Sequence, residues 1–272
     1  MKRYNIIDAH CHLQDGSFAK DRQQVIEHAE QVGVQYLVCN ATSPEDWDEI
    51  LGFTARYPHV IPALGLHPWF IDQAPDDWLI QLEKRIKLSN ALIGEVGLDQ
   101  WVKPRDEILQ EGVFREQLRL AHKLEKSLSI HCLHAWDWLL EVLTDEDVPD
   151  RGFLLHGYAG PESMIPTLSE LGGYFSFSAN ILDVSRTQLR RAIQVVPLDR
   201  LMIETDAPYL LPPDEYTHTP EHLEGRIRNE PAHLADFFPQ LAQLLSVSPD
   251  KLASQLWDNA TYLFDPWIKP VP

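Results

Sequence analysis

The stretch IIDAHCHL, residues 6–13, is a short apolar run that ends in Asp8, His10 and His12. Side chains two residues apart on an extended chain leave the same face. His10 and His12 can therefore reach one point together, with Asp8 on their face below them. Cys11 is expected to turn the other way, toward a surrounding layer of helices, as a small buried residue. Two imidazoles aimed at one point suit a transition metal. A zinc-finger fragment would also carry Cys and His. The chain has only Cys11, Cys39 and Cys132 and no CxxC pair, which argues against that and against a disulfide framework. The reading therefore turns on whether other strands end in the same way.

Strand-like runs occur at 5–9, 34–39, 60–65, 91–96, 128–132, 152–156, 173–178 and 200–204. Helix-like stretches fall near 20–32, 45–57, 76–88, 106–126, 136–144, 161–171, 185–195, 231–245 and 249–263. Several open on cap residues, as in Ser43-Pro44-Glu45-Asp46, Gly160-Pro161-Glu162 and Ser248-Pro249-Asp250. In 106–126, Ile108, Leu109, Val113, Phe114, Leu118, Leu120, Ala121 and Leu124 form an apolar face of helical period. Strands alternating with helices predict an α/β fold, a (β/α)8 TIM barrel, with a doubly wound open sheet as the competitor. The chain is read as a single domain over 1–272.

A barrel builds its active site at the C-terminal ends of its strands. There the sequence places His67 in GLHP, Glu95 and Asp99 in GEVGLD, His131 in IHC, His156 in LLHG, and Glu204 and Asp206 in IETDAP. Metal-competent residues at so many strand ends are hard to explain as packing, because buried charge is costly unless paired or metal-bound. Glu95, given room by Gly94 and Gly97, is the natural carboxylate bridge between two ions. Asp206 is expected to bind an ion and accept a proton. Asp8 and Glu204 are expected to support the histidine ligands from behind. His28, His59, His122, His218, His222 and His233 are read as solvated. Trp69 and Trp101 follow the GLHP and GLD turns, and either line a substrate mouth or seal loops.

The totals narrow the class. A net charge of −18 disfavours non-specific binding to nucleic acid, which depends on Lys and Arg neutralising phosphates. It still allows a phosphate ligand where divalent cations reverse the local field. No apolar run approaches the ~18 residues of a membrane span. The first residues lack the apolar core of a signal peptide, so a cytoplasmic location is expected.

The ensemble resembles the TatD-type metal-dependent hydrolases. The matching pieces are DAHCHL (8–13), GLHPW (65–69), IGEVGLD (93–99), FREQLRLAHKLEKSLSIHC (114–132), LLHGYAG (154–160), MIETDAPYLLP (202–212), RNEP (228–231) and NATYLF (259–264). The resemblance implies a barrel with two divalent ions per subunit, Zn, Mg, Mn or similar. One ion would take His10, His12, Glu95 and Asp206. The second would share Glu95 and take His131 and His156, with His67 contacting substrate. Asn229 and Glu230 would be local structure or a site edge. The implied activity is a deoxyribonuclease or exonuclease acting on phosphodiesters. The expected substrate is a single-stranded nucleic acid end or a small phosphoester, with no membrane and no obligate protein partner. The alternative is a hydrolase of the same barrel acting on a small phosphoester, lactone or amide. The wall departs from the family pattern: Leu133-His134 stands where an Arg-Asp pair is common, Gln100-Trp101-Val102-Lys103 replaces a Tyr-Tyr-Arg-like run, and an HFSG-like loop reads HGYAG.

Overall fold

In a computed structural model, which describes residues 3–103, 106–213 and 228–268, the eight apolar runs are parallel strands in one sheet. They are β1 (Ile6–Cys11), β2 (Val34–Asn40), β3 (Val60–Leu64), β4 (Leu92–Asp99), β5 (Leu128–Leu133), β6 (Phe153–Leu155), β7 (Gly173–Phe177) and β8 (Leu201–Ile203). Each pairs with its sequence neighbour, so the order is β1 to β8 without a crossover. This excludes the doubly wound sheet, whose strand order reverses partway. The segment after β8 returns to β1: the Asp206 amide donates to His10 O at 2.9 Å and the His12 amide to Ala207 O at 2.8 Å. The result is a nearly closed (β/α)8 barrel.

The helices on its outside are α1 (Arg22–Val32), α2 (Trp47–Arg56), α3 (Trp78–Ser89), α4 (Glu107–Leu124), α5 (Trp136–Asp145), α6 (Ile165–Glu170), α7 (Thr187–Val195), α8 (Leu234–Leu244) and α9 (Pro249–Leu263). Ser248 caps α9 by accepting from Lys251 N, with Pro249 in the first turn where its missing N–H costs nothing. Among the described residues no helix is long and apolar enough to cross a membrane. The expectation that His218 and His222 are solvated falls outside the described residues.

Two apolar clusters divide the interior. The larger lies between strands and helices and takes the outward-facing side chains, including Cys11 and Cys132. The smaller fills the N-terminal end of the barrel, where Ile7, Val38, Ile61, Leu92, Leu154 and Met202 meet Leu263 and Phe264. Above that plug the barrel holds polar groups.

Helix α4 departs from its sequence pattern. Ile108 and Leu109, expected on its apolar face, are exposed, at 88% and 40%. The buried face instead contains Gln110 and Gln117. Gln117 accepts from Leu66 N at 2.8 Å and donates to Leu66 O at 3.1 Å. Gln110 does the same for Asp99 N and O, at 2.8 and 3.1 Å. Two amide side chains thus satisfy backbone groups at the ends of β3 and β4 that lack a neighbouring strand partner. His233 is also corrected: it is buried, because its Nδ1 meets Asn229 Oδ1 at 2.7 Å in the turn that opens α8.

Candidate metal centre

Glu95 stands at the middle of the polar end. Glycines make the room: a Cβ on Gly94 would lie 2.6 Å from Asn40 Oδ1, and one on Gly97, at φ +143°, would lie 2.0 Å from His131 O. The two oxygens of Glu95 face different groups. Oε2 lies 3.3 Å from His10 Nε2 and 3.4 Å from His12 Nε2. Oε1 lies 2.9 Å from His156 Nε2, 3.0 Å from His131 Nδ1 and 3.2 Å from His67 Nε2. Asp206 Oδ1 joins the first group, 3.3 Å from His12 Nε2 and 3.8 Å from His10 Nε2. The structure therefore brings His10, His12, His67, Glu95, His131, His156 and Asp206 together.

The far nitrogen of each imidazole shows which near nitrogen is free to bind an ion. His12 Nδ1 donates to Asn40 O at 2.9 Å, and His131 Nε2 donates to Asp99 Oδ2 at 3.0 Å. His10 Nδ1 pairs with Ser129 Oγ at 2.8 Å. His156 Nδ1 faces Glu204 Oε1 at 3.6 Å, and neither atom has a hydrogen-bond partner among the described residues. When an acceptor holds the far proton, the inner nitrogen is left as a lone pair. His67 is reversed: its Nδ1 accepts from the Trp69 amide at 3.1 Å, so its neutral ring carries the proton on the inner Nε2. Distances alone would group His67 with Glu95 and His131 as ligands. Its tautomer makes it a hydrogen-bond donor instead.

The donor set suits a cation. His10 Nε2 and His12 Nε2 lie 3.2 Å apart, both aimed at Glu95 and Asp206. Two facing lone pairs repel unless a proton or a metal ion lies between them. Without an ion, protons serve. Burial lowers the affinity of His12 for a proton, but the Asp206 hydrogen bond and the charge of Glu95 outweigh it and raise its pKa to about 9. His156 is likewise pushed well up, against burial, by Glu95 and Glu204. Burial raises Glu95, yet the surrounding imidazoles hold it well below the ordinary carboxylate range. Burial pulls His67 down to about 4, so its ring stays neutral near pH 7.

Asp8 takes another place. Its carboxylate accepts from Thr205 N at 2.9 Å, Thr205 Oγ1 at 2.5 Å and His10 N at 3.3 Å. The pairing of β1 with β2 shifts register between Asp8 and Cys11, so simple alternation does not carry through. Asp8 thus ties β1 to the Asp206 segment. Burial pushes its pKa up to about 8. Glu204 accepts from Ser176 Oγ behind His156. Asn229 donates to Thr205 O at 2.7 Å and Leu210 O at 3.1 Å, so of its two readings it is local structure that braces the Asp206 loop.

Sequence reasoning missed Ser129 and Asn40 as imidazole partners, and left Asp99 without one. Ser129 and Asp99 had a signal: each lies an even number of residues from a proposed ligand on its own strand, two from His131 and four from Glu95. The Asn40 contact uses a carbonyl, which residue identity does not report.

A family profile described as TatD related DNase matches residues 7–265. The chain belongs to this family. Over 269 residues it is 31% identical to the 3'-5' ssDNA/RNA exonuclease TatD of Salmonella typhimurium, covering 96% of this chain and 99% of the relative. It is 30% identical over 265 residues to the metal-dependent hydrolase YcfH of Escherichia coli K12, covering 95% of each. The crystal structure of YjjV, a TatD homologue from Escherichia coli K12, superposes with a TM-score of 0.87 at 28% identity over 98% of both chains. As a TatD-family member the protein is a metal-dependent hydrolase, and its clustered His and carboxylate groups are candidates to bind that metal.

Proposed function

We propose that the protein is a phosphodiesterase with two divalent cations, acting on single-stranded nucleic acid ends. The observation that carries this is the division of Glu95: one oxygen faces His10 and His12, the other His131 and His156. One ion would take His10, His12, Glu95 and Asp206, and the other Glu95, His131 and His156. The mixed imidazole and carboxylate set accepts Zn, Mn or Mg. When bound, such ions lower the pKa of a water and offset charge on phosphoryl oxygens.

The chain's own groups divide the remaining work. Asp206 is the most exposed carboxylate of the set, with 13% of its side chain accessible against 4% for Glu95 and 0% for Glu204. It is thus placed to take a proton from the attacking water and pass it to solvent. Glu95 holds the two ligand groups together. His67 offers Nε2–H to a phosphoryl oxygen, and Asp99 and Glu204 fix the rings of His131 and His156. The relatives named as ssDNA/RNA exonucleases support the bond and substrate class. The −18 charge makes a short single strand easier to admit than a long duplex, and it also favours a second reading, a small phosphoester.

Asp206→Asn, assayed with Mn or Mg on labelled single-stranded DNA and on bis-p-nitrophenyl phosphate, is expected to lower kcat about 10²- to 10⁴-fold while the barrel stays folded, read by circular dichroism. Wild-type turnover by the variant would remove Asp206 from proton transfer. Hydrolysis of lactones or amides alone by the native protein would overturn the phosphodiester reading.

A further inference from the structure

Beside the metal centre a cleft of ≈ 850 Å³ opens between the GLHP and GLD loops, lined by Trp69, Phe70, Trp101, Lys103 and His134. Its two tryptophans are exposed in part, at 44% and 63%, although large aromatic groups gain most when buried. Their rings do not cover each other: the centroids are 6.1 Å apart and the planes 41° apart. Each keeps part of its surface accessible.

The cleft is anchored to the centre through one carboxylate. Asp99 Oδ2 accepts from Trp69 Nε1 at 2.6 Å and from His131 Nε2 at 3.0 Å. Asp99 Oδ1 accepts from the amides of Trp101 at 2.6 Å and Val102 at 2.9 Å. The Trp69 ring lies nearly perpendicular to His67 at 5.1 Å and to His131 at 6.3 Å. The cleft thus adjoins two of the histidines that face Glu95 Oε1. Lys103 adds positive charge to that wall in a strongly acidic chain.

We infer that Trp69 and Trp101 form a stacking subsite for the unpaired nucleobase of the nucleotide whose phosphate enters the metal centre. Every base has a π-face, so the subsite selects an unstacked nucleotide without selecting sequence. A base paired in a duplex has its faces covered and cannot enter. Lys103 is placed to meet a phosphate of the same strand. The inference rests on the phosphodiesterase reading and adds what binds beside the reacting phosphate.

Calorimetry on the cation-loaded protein tests it with two ligands, deoxyadenosine 5′-monophosphate and 2-deoxyribose 5-phosphate, which differ by the base. The nucleotide is expected to bind about 5- to 150-fold tighter, and to quench tryptophan fluorescence where the sugar phosphate does not. Trp101→Ala should remove most of that ratio and leave the sugar phosphate unchanged, while Trp101→Phe keeps most of it. Trp101 is exposed, so neither change burdens folding. Equal affinities in the native protein, or a ratio that survives Trp101→Ala, would overturn the subsite and leave the phosphodiesterase reading standing. Binding of neither ligand would overturn both.

Discussion

At the N-terminal end of the barrel, Ile7, Val38, Ile61, Leu92, Leu154 and Met202 pack on Leu263, the last residue of α9, and on Phe264 after it. At the C-terminal end the same barrel presents His10, His131 and His156 around the Glu95 carboxylate, with Asp206 beside His10. The first end gains free energy from every apolar contact it makes. The second gathers buried ionisable groups that cost free energy until protons or cations balance them. The comparison teaches a division of labour: the apolar plug supplies stability that the polar end uses up.

Changes at either end should therefore separate stability from chemistry. Phe264→Ala, in the plug, is expected to cost about 3–5 kcal/mol of stability, read by denaturant unfolding. The kcat of the protein that remains folded should not change; a loss of kcat equal to that at the metal centre would break the comparison. Asp99→Asn, at the polar end, is expected to weaken metal affinity about 10- to 100-fold with a small change in Tm, read by competition with a chelator. An unchanged affinity would mean that Asp99 serves only the tryptophan loops.

The pH response should sharpen the contrast. His12 holds a proton up to about pH 9 in the ion-free protein, and a bound ion must expel it. Metal affinity should therefore fall as pH falls from about 9, near tenfold per unit for one proton. The stability term has the opposite sense. The His12 pKa is raised from 6.5, so its contribution is full below that pH and is lost as pH rises through about 9. The Tm of the ion-free protein should fall over this window, and bound metal should reverse the trend. A flat Tm would show that His12 is not protonated there. The smallest effect is expected from Ser248→Ala, which removes the cap at the far end of α9 from the plug: about 1 kcal/mol of stability, with metal affinity untouched.

The barrel was legible because its signal is local. Apolar runs alternate with helical periods, and ligand residues recur where each run ends. Alternation likewise placed His10, His12 and Cys11, until the register shift in β1 redirected Asp8. What could not be read comes from contacts between distant segments. Gln110 and Gln117 look like polar interruptions of an apolar face until Leu66 and Asp99 are brought against them. His233 looks solvated until Asn229 meets it. The donor role of His67 depends on the Trp69 amide, which appears in no side-chain pattern.

The two glutamines of α4 have a consequence for how the chain can vary. They stand seven residues apart, close to two helical turns, so both leave the same side of the helix. One clamps the segment that presents His67 and the other the segment that presents Asp99. The helix thus acts as a gauge that sets the distance between two loops of the active end. Inserting one residue between the clamps would turn one of them about 100° away. The interval from 110 to 117 is therefore a fixed length, while the loops it gauges remain free to change their side chains.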